Sequence, residues 1–308
     1  MTVGRRGLPT AASRALVFVA AALMATAACS AAEDRTGGEP GGRSVDFHPS
    51  AVPPGSVSMP IERFALTAEE SSAVDRAKVL LANECLGGFG LDYRIPEHPP
   101  LVTESSRRYG ISDREVARDL GYHLPPPAGG AGATTQPTEA QEAILFGATR
   151  AGVPQSTSPD GRPIPPGGCY GDAEARLDGG PRPESDIAAA AAIDKESFKR
   201  SLADPAVVSS FHAWSTCMEH HGYRYQDPMA SVGDRAFDTA EPTEREKAVA
   251  LADMDCKTDT GLLKTWSAVE AETQTRMIEE NSPALNRLSS FQKRKIGLAR
   301  EVIARLGS

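Results

Sequence analysis

CLGGFGLDY at residues 85–93 and CMEHHGYRY at residues 217–225 share one spacing, Cys-x4-Gly-x2-Tyr. Each closes a stretch with helical periodicity, and each is followed downstream by Cys-x2-Asp: Cys169 with Asp172, and Cys256 with Asp259. Four cysteines admit three pairings. The repeat favours two related half-modules, each closed by its own bridge, Cys85–Cys169 and Cys217–Cys256. Chain entropy gives roughly 4.6 and 3.9 kcal/mol as upper values for closing loops of about 85 and 40 residues. Either is comparable with the whole net stability of a small domain, about 5–15 kcal/mol.

The helices around these cysteines follow from caps and stripes. Thr67 and Glu70 form a capping box, and a run without Gly or Pro continues to Cys85, with Val74, Ala77, Leu81 and Cys85 on one stripe. Gly87-Gly88 ends it. Helices are predicted over Asp113–Leu120 behind Ser112 as N-cap, Thr138–Thr149, Ser185–Leu202 and Pro205–His221. The longest is expected from about Thr243 to Asn281, with Val249, Ala252, Cys256, Leu263, Trp266 and Val269 as buried candidates. Ser282-Pro283 starts a last helix to Leu306. Strand signals are nearly absent. The fold class expected is mainly α: an irregular helical domain with long loops, braced by two disulfides, around one core of modest size.

A disulfide framework presupposes an oxidising compartment, and the N-terminus supplies one. Arg5, Arg6 and Arg14 precede and flank an apolar run of 11 residues, Ala15–Ala25, which leads to Thr26-Ala27-Ala28-Cys29. Basic, apolar and small-residue regions in that order are a secretory signal. The run falls well short of the roughly 20 residues that span a bilayer. Arg5-Arg6 reads as a positively charged start, since the rest of a twin-arginine motif is missing. Two cleavage readings compete: a lipobox, in which Cys29 takes a diacylglyceryl group, and ordinary cleavage at Ala25-Thr26-Ala27, which would give a secreted protein. Thr26 stands where a lipobox usually has Leu. Parity tips the balance toward the lipobox, with secretion as the alternative. The chain has five cysteines, and lipidation of Cys29 consumes the odd one. The expected order is therefore signal peptide 1–28, lipidated N-terminus and Pro/Gly-rich linker 29–62, and a single extracytoplasmic domain 63–308 on the outer face of the membrane.

Loss of residues 1–28 would remove three arginines and no acid, leaving 30 basic against 41 acidic side chains, net −11. That charge argues against a nucleic-acid partner. With 24 Pro and 28 Gly, much of the length is loop. Ser30–Ser58 has too few apolar residues to offset the entropy of ordering. As a flexible chain it would reach roughly 30 Å root-mean-square, enough to lift a folded domain off lipid headgroups. Pro125–Gln136 and Val153–Gly168 are two further Pro/Gly-rich stretches, read as surface loops because the Cys85–Cys169 bridge would span them both.

Several segments resemble a family of uncharacterised actinobacterial lipoproteins. They are Arg108-Tyr109-Gly110-Ile111, Gly121-Tyr122-His123-Leu124-Pro125, Pro166-Gly167-Gly168-Cys169, Trp214-x2-Cys217-Met218-x3-Gly222-Tyr223, and Ala252-Asp253-x2-Cys256-Lys257 with Trp266 and Val269-Glu270. The similarity covers roughly Thr67 to Leu306. It supports the lipid-anchored address and the cysteine scheme, and it adds no catalytic residue.

The chemistry-bearing cluster is His212, Cys217, Glu219, His220 and His221, with Cys217 and His221 at i, i+4. Such residues could contribute to a transition-metal site. The simpler reading is a disulfide-bonded Cys217 among exposed histidines at a helix end, so no metal and no cofactor is expected. There is no Gly-x-Ser-x-Gly and no His-Glu-x2-His, and the glycines at 129–132 and 167–168 lack the strand and lysine of a phosphate loop. They are loops. Lys293-Arg294-Lys295 could touch anionic polymer or lipid, but reads as a solvated helix face. The expected function is a non-enzymatic binding or accessory module of the cell envelope, with a membrane anchor and an envelope protein or wall component as partner. The alternative is a wall-acting enzyme with a carboxylate-based site. A solute-binding transporter component is disfavoured, because alternating strands and helices are missing.

Overall fold

In the computed structural model the described residues are 58–97, 107–125 and 136–307. The chain divides into Met1–Val45 and Asp46–Ser308, and all described residues belong to the second unit. Cys29 and its surroundings, most of the linker, and the glycines at 129–132 lie outside them.

The described residues form ten α-helices: α1 Ala68–Gly88, α2 Arg114–Leu120, α3 Glu139–Phe146, α4 Gly168–Asp178, α5 Glu184–Ser201, α6 Pro205–His220, α7 Pro228–Val232, α8 Glu244–Asp259, α9 Leu262–Glu280 and α10 Ser282–Leu306. Among the described residues there is no strand, only two isolated bridges, Ala148 with Pro154 and Thr157 with Pro163. No described helix is long and apolar enough to cross a membrane.

Side-chain caps set most of the helix starts. Thr67 with Glu70, Thr138 with Gln141 and Thr243 with Glu246 are complete capping boxes. Asp204 and Asp227 cap α6 and α7 ahead of prolines at the first helical position. The cap of α2 is Asp113, not the expected Ser112: its carboxylate accepts from Glu115 N and Val116 N.

The repeated cysteine motif is a helix-ending device. Gly90 and Gly222 take left-handed φ of 70° and 84°. Leu91 N donates to Leu86 O at 3.2 Å and Gly90 N to Gly87 O at 2.9 Å; Tyr223 N donates to Met218 O and Gly222 N to Glu219 O, both at 2.9 Å. Both are Schellman motifs, in which the glycine places two amides on the last carbonyls. Leu86 and Met218, the residues after each cysteine, are fully buried. The likeness ends there, since Cys169 is the second residue of α4, whereas Cys256 lies in the last turn of α8.

Both disulfides are formed as expected, Cys85–Cys169 and Cys217–Cys256, each with Cα atoms 5.6 Å apart. In place of one core there are two buried apolar clusters, with one bridge in each. The first gathers α1, α3, α4 and the C-terminal half of α10, including Leu81, Leu86, Leu177 and Ala299. The second gathers α2, α5, α6, α8, α9 and the N-terminal half of α10, around Trp214 and Trp266. With 25 residues, α10 is about 37 Å long at 1.5 Å per residue, and it serves both clusters. The fold begins before residue 63: Met59 and Ile61 are buried in the second cluster, within or beside a 3-10 turn over Pro60–Phe64.

Three helix expectations are corrected. The element expected from Thr243 to Asn281 is two helices. Thr260 Oγ1 turns back onto Cys256 O at 2.6 Å, and Gly261 takes φ of 62°, so the chain leaves α8 and restarts as α9. Thr138–Thr149 is shorter, ending at Gly147 in the left-handed region. Gly168 is not loop but the first residue of α4, a helix absent from the expected set. Its start is a backbone crossing, where a Cβ on Gly168 would lie 2.5 Å from Gly147 N and Leu145 O.

Candidate functional site

The chemistry-bearing side chains concentrate where the irregular segment 107–125 lies on α5, α8 and α9. Two buried polar networks hold it.

The first centres on Glu270 of α9, fully buried. Its Oε1 accepts from Arg108 Nε at 2.8 Å and Ser197 Oγ at 3.1 Å, and its Oε2 from Tyr109 OH at 2.8 Å. Arg108 also reaches Asp194, at 2.9 Å to the carboxylate and 2.8 Å to the carbonyl, and its guanidinium lies 5.2 Å from the Phe198 ring centre. Burial works against the Arg108 charge, but the Glu270 hydrogen bond and carboxylate outweigh it and hold the guanidinium above its ordinary pKa. Burial, with the Glu270 charge, raises the Tyr109 phenol, so it stays a donor. The Asp194 carboxyl is pushed up by burial, partly offset by Arg108.

The second centres on Asp253 and Lys257, one turn apart on α8 and both buried. Lys257 Nζ lies 3.0 Å from Asp253 Oδ2 and donates to Ile111 O at 2.9 Å. Asp253 Oδ1 accepts from Trp214 Nε1 at 2.9 Å, and the Tyr122 hydroxyl lies 3.2 Å from Oδ2. Burial pushes the Asp253 carboxyl up and the Lys257 ammonium down. Further along α8, buried Glu246 accepts from Tyr122 N at 2.8 Å and from His123 Nδ1 at 2.7 Å. His123 Nε2 donates to Thr239 O at 2.8 Å. Both ring nitrogens thus face acceptors. The Thr239 carbonyl first, then Glu246, raises the His123 pKa.

Each carboxylate oxygen of Asp253, Glu246 and Glu270 has a protein donor, and the charges lie beneath packed aromatic rings. Tyr109 stacks obliquely on Trp266 with ring centres 4.9 Å apart, and Tyr122 on Phe237 at 5.6 Å. This arrangement fixes a loop; it does not present a free acid–base pair to a substrate. Three surface grooves are lined by none of these residues. One of about 580 Å³ runs along α3 beside Ala143, Ile144 and Ile164. One of about 490 Å³ lies between Asn83, Ile95 and Leu306. One of about 430 Å³ lies where Arg287 and Arg294 of α10 meet the start of α5.

The residues singled out by sequence fall as follows. His212, Glu219, His220 and His221 are all exposed on α6 or at its end, while Trp214 and Met218 face inward. Only His221 joins the cysteines: one of its ring nitrogens and the sulfurs of Cys217 and Cys256 lie within 4.8 Å of one another. The run Lys293-Arg294-Lys295 is not a solvated face throughout. Lys295 is buried, 2.9 Å from Asp178 Oδ1 at the end of α4, and Arg294 donates to the Asp178 carbonyl at 3.3 Å. Buried Glu246, Asp253, Lys257 and Glu270 were not singled out for chemistry, although a signal existed: Glu270 follows Leu262 and Trp266 at i+8 and i+4 on the inward stripe.

Arg108, Tyr109, Ile111, Tyr122, His123, Trp214, Asp253, Lys257 and Glu270 are thus members of these two networks. No protein-family model matches the chain, and comparison with curated proteins and with solved structures finds no significant similarity.

Proposed function

We propose that this chain is an extracytoplasmic module, held on the outer face of a cell membrane by a lipid on Cys29, with a binding or accessory role in the envelope. One observation carries the reading. Four of the five cysteines are bonded to one another, so the remaining one, Cys29, is the residue that directly follows an apolar run and three small residues. In an oxidising compartment a leftover thiol at that position is best explained as a lipid attachment point. The resemblance to actinobacterial lipoproteins points the same way. A non-catalytic role is favoured because each carboxylate oxygen of Asp253, Glu246 and Glu270 already accepts from a donor of the fold itself. The partner would be an envelope protein or wall component met at the end of the 30–58 tether.

The test is metabolic labelling of producing cells with a tagged fatty acid, comparing wild type with Cys29→Ala. The expected outcome is a labelled wild-type protein in the membrane fraction, with a mature N-terminus bearing the mass of a diacylglyceryl cysteine. The Cys29→Ala form is unlabelled. An unlabelled wild type whose mature chain starts elsewhere overturns the proposal.

A further inference from the structure

Among the described residues, His221 is the one exposed histidine whose ring meets both sulfurs of a disulfide. It caps α6 four residues after Cys217, so both project from the same side of that helix end. Cys256 enters from α8, fully buried, while Cys217 is half-buried and His221 is open to solvent. We propose that Cys217, His221 and Cys256 form a latent zinc site, closed by the disulfide and opened when it is reduced.

The distances suit this. With Zn–S near 2.3 Å and Zn–N near 2.05 Å, tetrahedral edges come to about 3.8 Å between sulfurs and about 3.5 Å between sulfur and nitrogen. The three ligand atoms already lie within 4.8 Å of one another. Once the S–S bond is broken the sulfurs must separate by roughly 2 Å and the imidazole approach by roughly 1 Å, both within the reach of χ rotations. The set is two soft thiolates and one imidazole, which suits zinc and leaves a fourth position for water.

The chemistry balances. A dithiol reductant delivers two electrons and two protons to Cys217–Cys256, giving two thiols and its own cyclic disulfide. Zn²⁺ then displaces one proton from each thiol and takes the neutral His221 nitrogen as third ligand. The ion would replace the lost covalent link between α6 and α8. Reduction would therefore exchange one brace for another.

The experiment uses the full chain, reduced anaerobically with excess phosphine, and Co²⁺ as a spectroscopic stand-in for zinc. The expected result is one Co²⁺ per chain only after reduction, with the strong visible bands of a tetrahedral ion and a thiolate charge-transfer band. Zn²⁺ displaces it and raises the Tm of the reduced protein. His221→Ala, an exposed substitution, leaves the thiolate band but weakens binding by at least about tenfold, beyond the usual minimum for disturbing an outer-shell group. Cys85→Ser/Cys169→Ser retains the site, and Cys217→Ser/Cys256→Ser loses it. Unchanged affinity in His221→Ala, or binding that survives loss of Cys217 and Cys256, overturns the proposal. So does a reduced chain that has lost its helical circular dichroism and does not regain it with metal.

Discussion

Replacing Lys257 by Met keeps the volume of a buried side chain and removes only its charge and donors. In the native protein Lys257 Nζ serves the Asp253 carboxylate at 3.0 Å and the Ile111 carbonyl at 2.9 Å, with both side chains at 0% exposure. The variant leaves Asp253 with the Trp214 and Tyr122 donors but no counter-charge. Breaking one side of a buried pair costs about 3–5 kcal/mol. For a folded unit of this size that is a fall in Tm of roughly 6–20 °C at about 2–4 °C per kcal/mol.

The double variant Asp253→Asn/Lys257→Met separates charge from packing. Asparagine keeps a carbonyl oxygen for Trp214 and removes the orphaned charge, so most of the loss is recovered, leaving about 1–2 kcal/mol for the unserved Ile111 carbonyl. Acid provides a second check. The Asp253 carboxyl is raised by burial, and loss of Lys257 raises it further. A carboxyl whose folded pKa exceeds its unfolded one binds more protons when folded, so the single variant gains stability on wild type as pH falls through that raised value. Urea unfolding followed by fluorescence of Trp214 and Trp266, both fully buried, measures all three proteins with the same probe. A single variant within 1 kcal/mol of wild type, or a double variant no better than the single, refutes the reasoning.

The raised pKa of His123 gives a titration of the same sign, since the folded state again binds the extra proton. Its stabilising contribution is complete below the unfolded value near 6.5 and is lost as pH rises through the folded one. Melting curves of wild type and His123→Asn from mildly acid to mildly alkaline buffer are expected to converge. Gly168→Ala places a Cβ 2.5 Å from backbone atoms at φ 70°. It should cost roughly 2–5 kcal/mol, combining overpacking of 1–3 with a left-handed penalty of 1–2. Gly152→Ala, at φ 79° in open space, carries only the second part, and chemical denaturation of both distinguishes them. Arg162 donates to Gly88 O at 2.5 Å and Phe89 O at 2.6 Å, closing the end of α1. Being partly exposed, it is worth about 1 kcal/mol, and Arg162→Ala should show faster amide exchange around Phe89–Leu91 than elsewhere.

Fold class, both bridges and most helix limits were legible because they rest on local rules. A capping threonine with Glu or Gln three residues on, and a glycine just past a buried residue, act through hydrogen bonds within a few positions. Helix α4 was not legible, because Gly167-Gly168 argues against a helix on propensity. What makes those glycines necessary is the crossing of α3's end, a contact that no local pattern reports. The break at Gly261 was present in the residues, since Thr-Gly after a polar turn is a stop signal, but continuous apolar spacing through Leu263 and Trp266 overrode it. The buried charges were half legible. Asp253 and Glu270 stand on inward stripes, yet their partners Tyr122, Arg108 and Tyr109 lie more than a hundred residues away in a segment with little periodicity.

The same segment explains why a helical protein keeps charges beneath its aromatic rings. Between residues 107 and 125 only seven residues are helical, and no strand among the described residues stands ready to pair with the rest. Buried backbone groups still need partners, and long polar side chains from the surrounding helices, with Arg107 of the segment itself, supply them. Lys257 serves Ile111 O, Glu246 serves Tyr122 N, Arg107 serves His123 O, and Arg108 returns the service to Asp194 O. Elsewhere Asn83 takes both Ile95 N and O, Gln274 takes Ile61 N, and Gln292 takes Phe64 O. Amides serve where neutral bonds suffice. Charged groups recur where a single side chain must also hold an aromatic or a second loop. A perturbed pKa in such a place reports the cost of ordering irregular backbone, and in this molecule that account covers Asp253, Lys257, Tyr109 and Tyr122 without assigning any of them a reaction.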